Sequence, residues 1–108
     1  MPYVAINSHL EELVKNLGEL RIATPVEDPS YETIELMYRN ASDSLENAIG
    51  KAIDSADQDY QEFVEGVTSA IASIHEAQKK IEKVAKAVKL VAKVLDIAGK
   101  IAGKLIKA

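Results

Sequence analysis

The chain of 108 residues has no cysteine and no tryptophan, a single phenylalanine and three prolines. Without cysteine there is no disulfide, no thiolate nucleophile and no thiolate-held metal or cluster. Scarce aromatics weigh against a small-molecule pocket, because such pockets are lined mainly by hydrophobic and aromatic side chains. No stretch of about 18 residues is free of charge, so no membrane-spanning helix is expected. The opening "MPYVAINSHLEELVK" lacks the basic start and long apolar run of a signal peptide, and the expected location is the cytoplasm. Without a secretory signal, the sequon at Asn40 ("NAS") is read as a chance match.

What is present is aliphatic. Hydrophobic residues make up 47% and charged residues 28% of the chain, a globular composition whose length suits one hydrophobic core and one domain, residues 1–108. Ala, Val, Ile and Leu dominate, as in closely packed helices. The net charge of -4 conceals a division. Residues 1–65 hold fourteen acids against four bases, whereas residues 66–108 hold nine lysines against three acids. Such asymmetry points to an electrostatic match within the fold or to a separate role for the basic end.

Helical periodicity runs through most of the chain. Ser8 and Glu11 have capping-box spacing, and Leu10, Leu13, Val14, Leu17 and Leu20 follow as one stripe. The segment "IATPVEDPS" is a loop, since Pro25 and Pro29 disfavour helix before them. Ser30 then has the position of an N-cap, with Glu32 and Glu35 complementing the helix dipole. Apolar residues recur from Ile34 through Leu45 to Ala52. The polar "DSADQD" offers a break at which Asp57 or Asp59 can start a new helix. Ser73 and Glu76 repeat the capping spacing, placing a kink or break near residues 68–73. No strand-type alternation of useful length is found.

The last thirty residues, "KKIEKVAKAVKLVAKVLDIAGKIAGKLIKA", hold nine lysines and two acids. On a helical wheel of about 100° per residue, Lys86, Lys89, Lys93, Lys100, Lys104 and Lys107 form one narrow basic stripe. Two apolar stripes occupy most of the remainder, with Leu90, Val94, Ile97, Ile101 and Leu105 on one and Leu95 on the other. Two stripes require two neighbours: helices of the same chain, or another copy of it. A wide apolar sector edged by lysines also suits an anionic membrane surface.

Motifs for catalysis are missing. The two histidines, His9 and His75, stand outside any Glu-x-x-His repeat of a di-iron bundle. Asp54, Asp57 and Asp59 lack the glycine and terminal glutamate of a calcium loop. There is no phosphate loop and no nucleophile elbow. The basic stripe has neither arginine nor interleaved aromatics, which argues against nucleic acid.

The resulting expectation is an all-α protein, a small antiparallel bundle of three or four helices over residues 8–21, 31–54 and 58–106, with a long C-terminal helix. The expected function is that of a non-enzymatic, self-associating interaction module without cofactor or metal, engaging a second copy or another protein. The alternative is a membrane-active protein whose basic tail is masked by the acidic helices. Expected core residues are Leu13, Leu17, Leu45, Ile49, Phe63, Ile74, Val88 and Leu95.

Overall fold

A computed structural model describes residues 2–107. The order of elements is β1 (Tyr3–Val4), α1 (Asn7–Ala23), α2 (Tyr31–Ala48), β2 (Lys51–Asp54), α3 (Gln58–Lys79), a 3-10 turn (Ile81–Lys83), α4 (Val84–Ala102) and β3 (Ile106–Lys107). Helix dominates and the four helices lie within the expected three or four, but the strands are a correction. β2 is the centre of a three-stranded antiparallel sheet, with Tyr3 opposite Asp54, Val4 opposite Ile53, Ala52 opposite Ile106 and Lys51 opposite Lys107. Successive strand residues point to opposite faces, and both Ala52 and Ile53 are buried. Both faces of β2 are therefore covered at its middle, which removes the alternation that would have marked it as a strand.

The second helix does not run to residue 54. It ends at Ala48 because Ile49, at φ -62 and ψ 129, and Gly50, at φ 78, have the backbone of a type II turn. Gly50 supplies the positive φ that an L side chain resists, and the chain is redirected into β2. Helix starts also differ from the capping patterns. α1 begins after Ile6 rather than at Ser8, and Ser30 makes no side-chain cap; instead Asp28 Oδ1 accepts from the Ser30 amide at 2.8 Å. Asp57 is a true cap, accepting from the amides of Asp59 and Tyr60.

The long C-terminal helix is divided, and not at residues 68–73. α3 is continuous through them, and the chain turns at Lys80, whose φ of -137 and ψ of 108 are extended. α4 then lies along α3: a Cβ built on Gly66 would stand 3.0 Å from Val94 Cγ2. No glycine or proline marks this reversal. Its cause is burial, for Val84, Ala87, Val91, Val94, Ala98 and Ile101 form a face that is covered only when α4 returns. Each fully buried Val or Ile side chain contributes about 1.5–3 kcal/mol, more than the helical bonds lost at one turn.

Each half of the molecule is a strand followed by a helical hairpin. α1 and α3 run in the same direction, since His9 lies beside Tyr60 and Phe63 while Asn16 meets His75 further along both helices. α1 packs on α2 and α3, and α4 packs on α2 and α3, giving an elongated body of 47 × 21 × 17 Å. Burial repeats at a separation of 50 positions: Leu13 and Phe63, Leu17 and Val67, Ile34 and Val84, Met37 and Ala87, Ala41 and Val91, and Ala48 and Ala98 are all buried. Each hairpin leaves its last helix through Gly-Lys followed by a strand: Gly50-Lys51 enters β2, and Gly103-Lys104 precedes β3.

One hydrophobic core links the four helices and β2. Leu13, Leu17, Phe63 and Ile74 are buried as expected, whereas Leu45, Val88 and Leu95 are only partly buried. Ile49 is 60% exposed, a correction that follows from its place in the turn. Phe63 has no exposed surface, and Phe63→Ala is expected to cost about 3–5 kcal/mol. Ile49→Ser is expected to stay within about 0.5 kcal/mol of the parent. Urea unfolding of both variants checks the contrast.

Candidate functional site

The exposed side of the α3–α4 hairpin carries a groove along the line where the two helices meet. Near the sheet it is a hollow of about 360 Å³ with Glu62, Glu65 and Gly66 on one side and Lys93, Val94 and Ile97 on the other. A second hollow of about 380 Å³ shares Ser69 and Leu90 with the first and adds Ala72, Ser73, Glu76 and Lys86. A third, of about 230 Å³, continues from Glu76 to Lys79, Lys80 and Lys83 at the turn. Helical spacing builds this line: positions 62, 65, 69, 72, 76 and 79 form one edge of α3, and 86, 90, 93 and 97 one edge of α4, with Lys83 of the 3-10 turn continuing it.

The charges along the groove are not paired. Among the described residues, ion pairs join only Glu35 to Arg39 and Lys104 to Asp57 and Asp59. Glu62, Glu65, Glu76, Lys86 and Lys93 line the hollows without an ionic partner. Ser73 is 5% exposed, and its Oγ is buried with no hydrogen-bond partner among the described residues. A buried hydroxyl left unsatisfied costs about 1–3 kcal/mol.

The interaction residues read from the sequence divide between core and groove. Val94, Ile97 and Ile101 are buried against the rest of the chain, although Val94 and Ile97 also form part of the groove floor. Leu90, Leu95 and Leu105 are partly buried, and Leu90 is the one of these three that lines the groove. All six lysines of the basic stripe are exposed, Lys104 lying in the turn after α4 and Lys107 in β3 rather than on a helix. Ala108, the end of the basic tail, lies outside the described residues. Ser69 and Ser73 carry no signal of a surface in the sequence beyond the run of small residues "GVTSAIAS" on α3.

Two polar contacts brace the helices away from the groove. Lys104 Nζ donates to Asp57 Oδ2 at 3.1 Å and to Asp59 Oδ2 at 2.8 Å, tying the exit of α4 to the cap of α3. Between α1 and α3, the buried Asn16 donates from Nδ2 to the Glu12 carbonyl and accepts at Oδ1 from His75 Nε2 at 2.7 Å. That acceptor requires the proton on Nε2. His9 sits edge-on to Tyr60 and Phe63. Neither histidine lines the groove, and among the described residues no group of three His, Cys, Asp or Glu is placed to hold a metal. No described helix is long and apolar enough to cross a membrane. Comparison with protein-family models, curated proteins and solved structures returned no match.

The Lys104 clamp gives a pH signature. Its hydrogen bond to Asp57 holds that carboxyl below the ordinary 3.8. The resulting contribution to stability is fully present above 3.8 and is lost as pH falls through the lower folded value. Hydrogen bonds to Asp59 and Asp57 hold the Lys104 ammonium above 10.5, a contribution present below 10.5 and lost as pH rises through the higher folded value. Lys104→Met is expected to raise the Asp57 carboxyl toward 3.8 and to weaken both limbs of the stability profile. Carbon-detected NMR titration of the carboxylates, with thermal melts across pH, measures both effects.

Proposed function

We propose that this chain is a non-enzymatic helical module of the cytoplasm that associates with itself through the α3–α4 groove. The observation that carries the reading is the unpaired set Glu62, Glu65, Glu76, Lys86 and Lys93 around the partly buried Leu90. Single unpaired surface charges are ordinary. Here charges of both signs border a continuous groove with an apolar floor. A surface carrying both signs is complementary to another of its own kind, and electrostatic matching of this sort selects partner and register. The groove presents no imidazole or thiol to support catalysis.

Because the chain folds back at Lys80, the apolar stripes of α4 are covered largely by the chain's own helices. The association proposed here uses the outer side of the hairpin instead, where two copies would build a larger helical bundle. A stable interface needs about 800 Å² from each partner. Light scattering on the full chain is expected to show a dimer at micromolar concentration. A monomeric mass throughout the high micromolar range would end this reading.

A second reading has one observation in its favour. Ile81 is 46% exposed at the tip of the hairpin, next to Lys79, Lys80 and Lys83, an arrangement suited to an anionic membrane surface. The masked-tail form of this idea requires α4 to leave α3 and expose Val84, Ala87, Val91 and Ile101. Sedimentation with anionic and neutral vesicles separates the two readings. The folded protein is expected to remain in solution with both, and salt-sensitive binding to anionic vesicles alone would favour the membrane.

A further inference from the structure

We infer that the groove is occupied by the same groove of a second copy, related by a twofold axis parallel to α3 and α4. This rests on the self-association proposed above and adds its geometry. The hollows define levels along the hairpin: Glu65 lies level with Lys93, Ser69 and Ala72 with Leu90, and Glu76 with Lys86. Rotation about an axis along the groove keeps each level and exchanges the two sides. α3 of one copy then faces α4 of the other, level for level.

The chemistry matches at each level. Glu65 meets Lys93 of the partner subunit, and Glu76 meets Lys86 of the partner subunit. Between these pairs, Leu90 of the partner subunit lies over Ser69 and Ala72, whose small side chains leave room for it, as a knob fills a hole between packed helices. Every contact occurs twice by symmetry. A twofold axis across the helices instead of along them brings α3 against α3 with levels inverted. Glu65 then faces Glu76 of the partner subunit, and Lys93 faces Lys86 of the partner subunit. The signs of the charges select the parallel axis.

Exchange of charges tests this arrangement without removing the apolar floor. Glu65 and Lys93 are both exposed, so Glu65→Lys and Lys93→Glu are expected to retain the helical spectrum and melting behaviour of the parent. Each variant alone is expected to weaken the dimer roughly tenfold, since its dimer has two like-charge contacts in place of two attractive ones. Mixing the two variants is expected to restore a heterodimer close to parental affinity, as is combining both changes in one chain. The mixture separates contact between copies from repulsion within a chain, which mixing leaves in place. If the parent dimerises but neither variant weakens it, or the mixture fails to recover, the axis is wrong and self-association stands. A Glu65→Lys variant that dimerises more tightly identifies the crossed axis. A parent that is monomeric at every concentration overturns both the geometry and the reading beneath it.

Discussion

The reversal of the chain at Lys80 is the constraint on which the rest of this structure depends. Without it, α3 and α4 would be one helix of about 45 residues, nearly 70 Å long at 1.5 Å per residue. With it, Val84, Ala87, Val91, Val94 and Ile101 enter the same core as Phe63, Val67 and Ile74. The fold-back also makes the groove, because the exposed edges of α3 and α4 become neighbours only when the helices lie side by side. It brings Lys104 to the cap of α3, where Asp57 and Asp59 hold it. At the end of α4 it returns β3 to the open edge of β2. The local residues "KKIEK" do not require a turn. The apolar face of α4 does.

That distinction explains what the sequence disclosed. Periodicity was sufficient for α1 and for the start of α2, and the polar "DSADQD" located the start of α3 because Asp57 is a cap whose chemistry is local. Gly50 is also a local signal, but the apolar stripe continues in helical phase past it to Ala52 and obscures the end of α2 at Ala48. β2 could not be read by alternation, since Ala52 and Ile53 are covered from both sides. The reversal at Lys80 was hidden for a different reason: it buries a face that extends along α4 from Val84 to Ile101, and helix propensity around it is high. The groove followed the same pattern. Its lysines were visible as a stripe, but their neighbours on α3 were not, because adjacency across the line between helices exists only after the chain has turned.

The recurrence of buried positions at a separation of 50 shows one plan used twice. In each half a short strand precedes a hairpin whose last helix ends near Gly-Lys, and the three strands close one end of both hairpins. The halves differ where they bear charge. α1 and α2 are acidic, whereas α4 is rich in lysine, and only the second hairpin combines acids on one helix with lysines on the other. The internal pairing of Lys104 accounts for one of the six stripe lysines. Lys86 and Lys93 lie within α4 and line the groove without an ionic partner among the described residues.

The account stands or falls on α4 lying along α3, and a distance between the two helices tests this most directly. The absence of native cysteine allows spin labels at Thr68 and Ala92 alone, both exposed, with labelled chain diluted into unlabelled chain so that only distances within one molecule are read. Pulsed dipolar spectroscopy is expected to give a single narrow distribution of roughly 10–20 Å, the range for labels on helices packed 8–10 Å apart. A distribution centred near 36 Å, the span of 24 residues of unbroken helix at 1.5 Å each, would contradict the fold-back and, with it, the core and the groove.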